Sequence, residues 1–136
     1  MATSTAASVA RLRRRLARVP IEVRAAAAAQ ALIDGNNLVI AMKGAAPRDD
    51  GTLADSVRLE QGKSGDRFLV KAGGPKTTKP VREGASATYD YIFASEFGTA
   101  NQPARSWFFP TYRARRKKIR RNIEQAALAA AQKLSD

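Results

Sequence analysis

The chain contains neither cysteine nor histidine. The first absence excludes disulfides and thiolate metal sites. The second removes the commonest general base and the commonest metal ligand, and with them a Ser-His-Asp triad, a zinc site of the usual kind and a His-based nuclease. An enzyme would have to be built from carboxylates and lysines. The candidates for a lone acid or base are Asp90 and Glu96, whose expected roles are contacts on a helix surface. No catalytic residue, metal ligand or cofactor site is therefore expected. Apolar runs are short, and none approaches the roughly 20 residues that span a bilayer, so no membrane partner is expected. Acidic residues are half as numerous as basic ones, 12 against 24.

The chain has 136 residues, which fits a single domain with a modest core. The opening Met1-Ala-Thr-Ser-Thr-Ala-Ala-Ser-Val9 leads into Arg11, Arg13, Arg14, Arg15 and Arg18. A secretory signal has the reverse order, basic residues before an apolar block. An Arg- and Ala-rich organellar transit peptide is the alternative. Because the helical pattern continues into the domain, a cytoplasmic, unprocessed protein is the expectation.

The net charge of +12 is unevenly placed: +5 over residues 1–44, zero over 45–104 and +7 over 105–136. The densest run is Arg113-Ala-Arg-Arg-Lys-Lys-Ile-Arg-Arg121, that is Arg113, Arg115, Arg116, Lys117, Lys118, Arg120 and Arg121. Like charges four apart on a helix, such as Arg116 with Arg120 and Lys117 with Arg121, each cost a few tenths of a kcal/mol, roughly. Cations at a helix start also oppose the macrodipole. The run reads either as a solvated helix face or as a contact for a polyanion or an acidic protein. No zinc finger, RNP signature or helix-turn-helix accompanies it.

Hydrophobic periodicity predicts mostly helix. Val9, Leu12, Leu16 and Val19 suggest a short amphipathic helix over about 5–17, within a basic arm at 1–19. A second helix is expected from Pro20 to Lys43, with Ile21, Ala25, Ala28, Leu32, Gly35, Val39 and Met42 as its inner stripe. Asp34-Gly35-Asn36-Asn37 also reads as a turn, so two shorter helices are the alternative. Glycine in the stripe suggests close approach of another backbone. Thr52 and Asp55 fit a capping box for a single helical turn. Val57–Gln61 and Arg67–Ala72 alternate as two strands of a hairpin around Gly62–Asp66. Residues 73–88 read as a flexible loop without apolar periodicity, basic at Lys76, Lys79 and Arg82.

Eight of the nine aromatic residues lie between Tyr89 and Tyr112. Such a concentration forms either core or contact surface. Tyr89, Ile92, Phe93 and Phe97 have helical spacing, with Gly98 as the C-terminal cap. A final helix is expected over 111–134, with Ile119, Ile123, Ala126, Ala130 and Leu134 facing inward. The fold class is α+β: a small antiparallel sheet built on a hairpin, packed by a long N-terminal helix, a short aromatic helix and a C-terminal helix.

The order of parts resembles a known family. A helical start ends in Ala46-Pro47, and Gly51-Thr-Leu-Ala-Asp-Ser56 introduces the hairpin. Tyr89-Asp-Tyr-Ile-Phe-Ala-Ser-Glu-Phe-Gly-Thr99 follows, then Pro103-Ala-Arg-Ser-Trp-Phe-Phe-Pro110 and the last helix. Over residues 20–125 this is similar to the head-tail joining, or tail-completion, proteins of long-tailed double-stranded DNA phages. Glu96-Phe-Gly-Thr99 with Pro103-Ala-Arg105 is the most specific part. Ser106 departs from a usual proline, and Phe109 from a usual polar or basic residue, though both leave the expected core role of the segment intact.

The resemblance implies a non-catalytic structural protein, a hexameric ring at the neck of the virion through which DNA passes. Its partners would be other copies of itself, adjacent head-connector and tail-tube or tail-terminator proteins, and the DNA in transit. It would lie in the host cytoplasm during assembly. Relatives occur in prophages and gene transfer agents. A tail terminator or other minor tail protein, and a small basic nucleic-acid-binding protein, are the alternatives. Candidate subunit-interface residues are Tyr91, Phe93, Glu96, Phe97, Trp107 and Phe108. Candidate contacts for a polyanion or acidic partner are Lys76, Lys79, Arg82 and the cations of the 113–121 run.

Overall fold

The alanine run at 25–29, which has the highest helix propensity available, lies inside one long helix, α1 (Ile21–Ala45). The computed structural model describes residues 6–11, 21–48 and 51–135. Residues 6–11 are helical; the rest of the expected N-terminal arm, with Leu12, Leu16, Val19, Pro20 and the arginines from 13 to 18, lies outside the described residues.

The turn-like Asp34-Gly35-Asn36-Asn37 does not break α1, because both of its special residues serve tertiary contacts. Asp34 is buried and accepts hydrogen bonds from Gln30 Nε2 and from Asn122 Nδ2 on the last helix, each at 3.1 Å. Gly35 leaves room for the Leu59 side chain, which would lie 2.9 Å from a Cβ at that position. The close neighbour is thus a side chain, not the backbone expected. The buried face of α1 is Asp34, Gly35, Leu38 and Met42, with Val39 packed beside it. The expected stripe is therefore wrong in its first half: Ile21 is 81% exposed and Leu32 is exposed too. The alanine-rich turns are weakly sided, so apolar spacing alone does not fix their inner face.

A single helical turn, α2 (Thr52–Asp55), follows. Its N-cap is Gly51, in the left-handed region at φ 80°, so Thr52 is not the cap of the expected box. Strands β1 (Arg58–Gln61) and β2 (Phe68–Lys71) form the expected hairpin, antiparallel with Leu59 opposite Val70 and Gln61 opposite Phe68.

Residues 73–88 are more structured than a loop. They contain a 3-10 turn (Pro75–Thr77) and strand β3 (Thr78–Pro80), which pairs with β4 (Thr88–Asp90). The organising group is the Asp90 carboxylate. It accepts from Gly74 N–H at 2.9 Å, from the fully buried Thr77 hydroxyl at 2.6 Å and from Ile92 N–H at 3.1 Å. These polar bonds replace apolar periodicity, which is why hydrophobic patterning misses the hairpin. Tyr89 accordingly belongs to β4, outside the aromatic helix α3 (Tyr91–Phe97).

Helix α4 (Phe108–Ser135) begins three residues before the expected start, with Pro110 in its first turn, where a missing N–H is tolerated. Ile119, Ile123, Ala126 and Ala130 are half-buried as expected, and α4 packs mainly along α1. The fold is thus α+β: long helices near both ends enclosing two separate two-stranded antiparallel ribbons. The core is small: Leu38, Met42, Ala46, Leu53, Val57, Ile92 and Trp107.

Candidate interaction surface

The two aromatic motifs are joined through one buried carboxylate. Glu96, on the last turn of α3, is only 5% exposed. Its Oε2 accepts from the backbone N–H of Trp107 at 2.8 Å and Phe108 at 3.0 Å, and its Oε1 accepts from Phe109 N–H at 3.0 Å. These donors open α4, whose first N–H groups have no partner within the helix. The charge also meets the positive end of the α4 dipole. Because α4 starts at Phe108, the cations from Arg113 onward lie beyond its first turn, where the dipole penalty expected for them has largely faded.

The connection is tightened by Arg105 N–H donating to Ser95 O at 2.8 Å. At Gly98, φ is 79° and a Cβ would meet Ala104 N at 2.8 Å, so glycine is required there twice over. Gly98 N–H closes α3 on Ala94 O, as its sequence position predicts.

The interface candidates divide sharply. Trp107 is 3% exposed and sits in the core, and Glu96 is interior. Tyr91 and Phe108 are half-buried against the core. Phe93 and Phe97 stand out at 63% and 62% exposure. They stack with ring centres 6.3 Å apart, and Phe97 lies 6.1 Å from Phe109. Phe109 in turn meets Phe108 edge-on at 5.1 Å. Phe109 is an exposed member of this ledge, and Tyr112, exposed on the next turn of α4, stands beside it; neither is among the interface residues expected from the sequence. The core role expected of the Pro103–Pro110 segment falls to Trp107, while Phe109 is 43% exposed.

Beside the ledge runs an apolar groove of about 350 Å³. Gly35, Leu38 and Met42 form its floor, Phe68 and Val70 of β2 one wall, and Tyr112 and Ile119 of α4 the other. The α4 wall continues into a shallow depression lined by Arg116, Arg120 and Glu124 as well as Tyr112, Ile119 and Ile123.

All seven cations of the 113–121 run are exposed, and they do not share one face. Arg115 and Lys118 border a small cleft with Asp34 and Asn122 toward α1. Arg116 and Arg120 border the groove side. Arg113, Lys117 and Arg121, spaced four apart, form a stripe between them. Lys76, Lys79 and Arg82 are also exposed, on the separate β3–β4 segment. The Lys79 ammonium sits 4.6 Å from the centre of the Tyr91 ring, a cation–π distance. A more polar depression of about 260 Å³ lies there, bordered by Lys79, Tyr89, Tyr91, Ser95 and Arg105.

Among the described residues no three acidic side chains gather as a metal site would require, and no helix is long and apolar enough to cross a membrane. The chain matches no protein-family model, no curated protein and no solved structure.

Proposed function

We propose that this chain is a structural subunit of a viral neck. It would be a head-tail joining or tail-completion component of a long-tailed phage, prophage or gene transfer agent, assembling as a ring through which DNA passes. The supporting observation is the Glu96 linkage. The two segments that carry the resemblance, Glu96-Phe-Gly-Thr99 and Pro103–Pro110, are one physical unit in which the first caps the helix opened by the second. That unit displays Phe93, Phe97 and Phe109 on the surface, as a subunit that works by contact requires. Among the described residues each two-stranded ribbon also keeps unpaired strand edges, available for sheet extension between copies. No catalytic role is proposed for Asp90 or Glu96, whose carboxylates are occupied by backbone donors.

Imaging of assembled particles carrying a labelled form of this chain tests the reading. Label at the junction of capsid and tail supports it; label elsewhere, or none on particles, defeats it.

A small basic nucleic-acid-binding protein is the second reading, favoured by the exposure of all seven cations of the 113–121 run. It predicts duplex binding that weakens steeply with salt, about one counterion released per phosphate contacted, and no ring in sedimentation.

A further inference from the structure

We propose that the groove between β2 and α4 is a docking site for an amphipathic, acidic α-helix of another protein. The core of this chain is small, while the groove leaves aliphatic and aromatic side chains in contact with water. Its lining is mostly apolar side chain drawn from α1, β1, β2 and α4, which offers anchoring pockets for the apolar stripe of a helix. From Tyr112 to Ile123 the α4 wall runs about 16 Å, enough for anchors at i, i+3 or i+4, and i+7 of a guest helix.

Charge selects the guest. Arg116 and Arg120 line the α4 wall against the single acid Glu124. A guest with Asp or Glu flanking its apolar stripe pairs with this wall. The chain's own end segments, at +5 over residues 1–44 and +7 over 105–136, would meet it with like charge. Nucleic acid would satisfy the arginines and leave the aliphatic lining wet. The exposed phenylalanines are already stacked on one another, which makes them a poor platform for bases. The inference is independent of the neck reading, because it needs only the groove and its charged wall.

The test uses the full chain and two labelled synthetic peptides of about 18 residues, long enough to fold as helices on a surface. They share one leucine stripe and differ only in carrying Glu or Lys on its flanks. Anisotropy at about 0.15 M salt should show the Glu peptide binding at least about tenfold tighter than the Lys peptide. Tyr112→Ala, at a half-exposed residue, should weaken the Glu peptide several-fold. Arg116→Glu with Arg120→Glu should reverse the preference, a gain that no unfolded variant can imitate. Equal binding of the two peptides, no binding of either up to about 1 mM, or displacement by an oligothymidylate would overturn the proposal.

Discussion

Glu96 carries a charge into the interior and is held there by three backbone donors. Charge-assisted bonds of this kind are about twice as strong as neutral ones. Removing the acceptor leaves buried N–H groups without partners. Glu96→Ala should therefore lower unfolding free energy by about 2–4 kcal/mol in urea denaturation. Glu96→Gln, which keeps one acceptor oxygen, should lose less. Asp90 has the same logic with a different reach, since its carboxylate ties Gly74 and Thr77 to the start of α3. At the surface, Glu60 bridges Lys71 at 2.7 Å and Arg58 at 3.0 Å, two cations that face each other across the hairpin. The bonds from Lys71, and then from Arg58, hold its carboxyl below the ordinary value. A carboxyl depressed in the folded state favours folding above its unfolded pKa, and that contribution fades as pH falls through the folded value. NMR titration should find the Glu60 midpoint below that of an unstructured Glu, and Lys71→Met should raise it. Because the group is exposed, the effect on stability is slight.

At the scale of the element, α4 contains a conflict. Its inner face is a regular apolar stripe, while its first turns carry seven like charges within nine positions. Repulsion between Arg116 and Arg120 works against the helix. Arg116→Glu would replace that repulsion with a Glu-to-Arg pair in the favoured orientation. It should raise stability by about 0.5 kcal/mol, visible as a small rise in melting temperature. The same substitution should weaken binding of an acidic partner. A helix made more stable by losing a cation points to a role for that cation outside folding. A fall in melting temperature would instead mean that Arg116 serves the fold.

For the molecule as a whole, the ratio of core to exposed apolar surface is the governing fact. Phe93 and Phe97 add almost nothing to the interior, yet they stack where another surface can cover them. Phe93→Ser with Phe97→Ser should leave unfolding free energy within about 1 kcal/mol of the parent and reduce concentration-dependent association in sedimentation. Unchanged association would remove the ledge from any ring contact. The elements themselves were legible to different depths. The hairpin at 58–71, the inner face of α4 and the Gly98 cap follow from alternation, helical period and the need for positive φ. The β3–β4 ribbon was hidden, because Thr77 and Asp90 stabilise it by hydrogen bonds with no apolar period. The exposed aromatic surface was only half visible: Phe93 and Phe97 follow from the motif, whereas the exposure of Phe109 and Tyr112 depends on where α4 starts.

Composition and local pattern by themselves determined that this chain offers no histidine or thiol chemistry, that its charge gathers toward both ends, and that long helices flank short strands. Those properties are sums over residues or relations between near neighbours, so they survive without knowledge of the fold. Tertiary structure alone decided which aromatics are core and which are surface. Trp107 and Phe109 are two residues apart on one segment, yet one is sealed and the other exposed. The difference comes from the Glu96 carboxylate, 11 residues before Trp107, which sets the start and direction of α4. A contact across that separation leaves no period in the sequence to read.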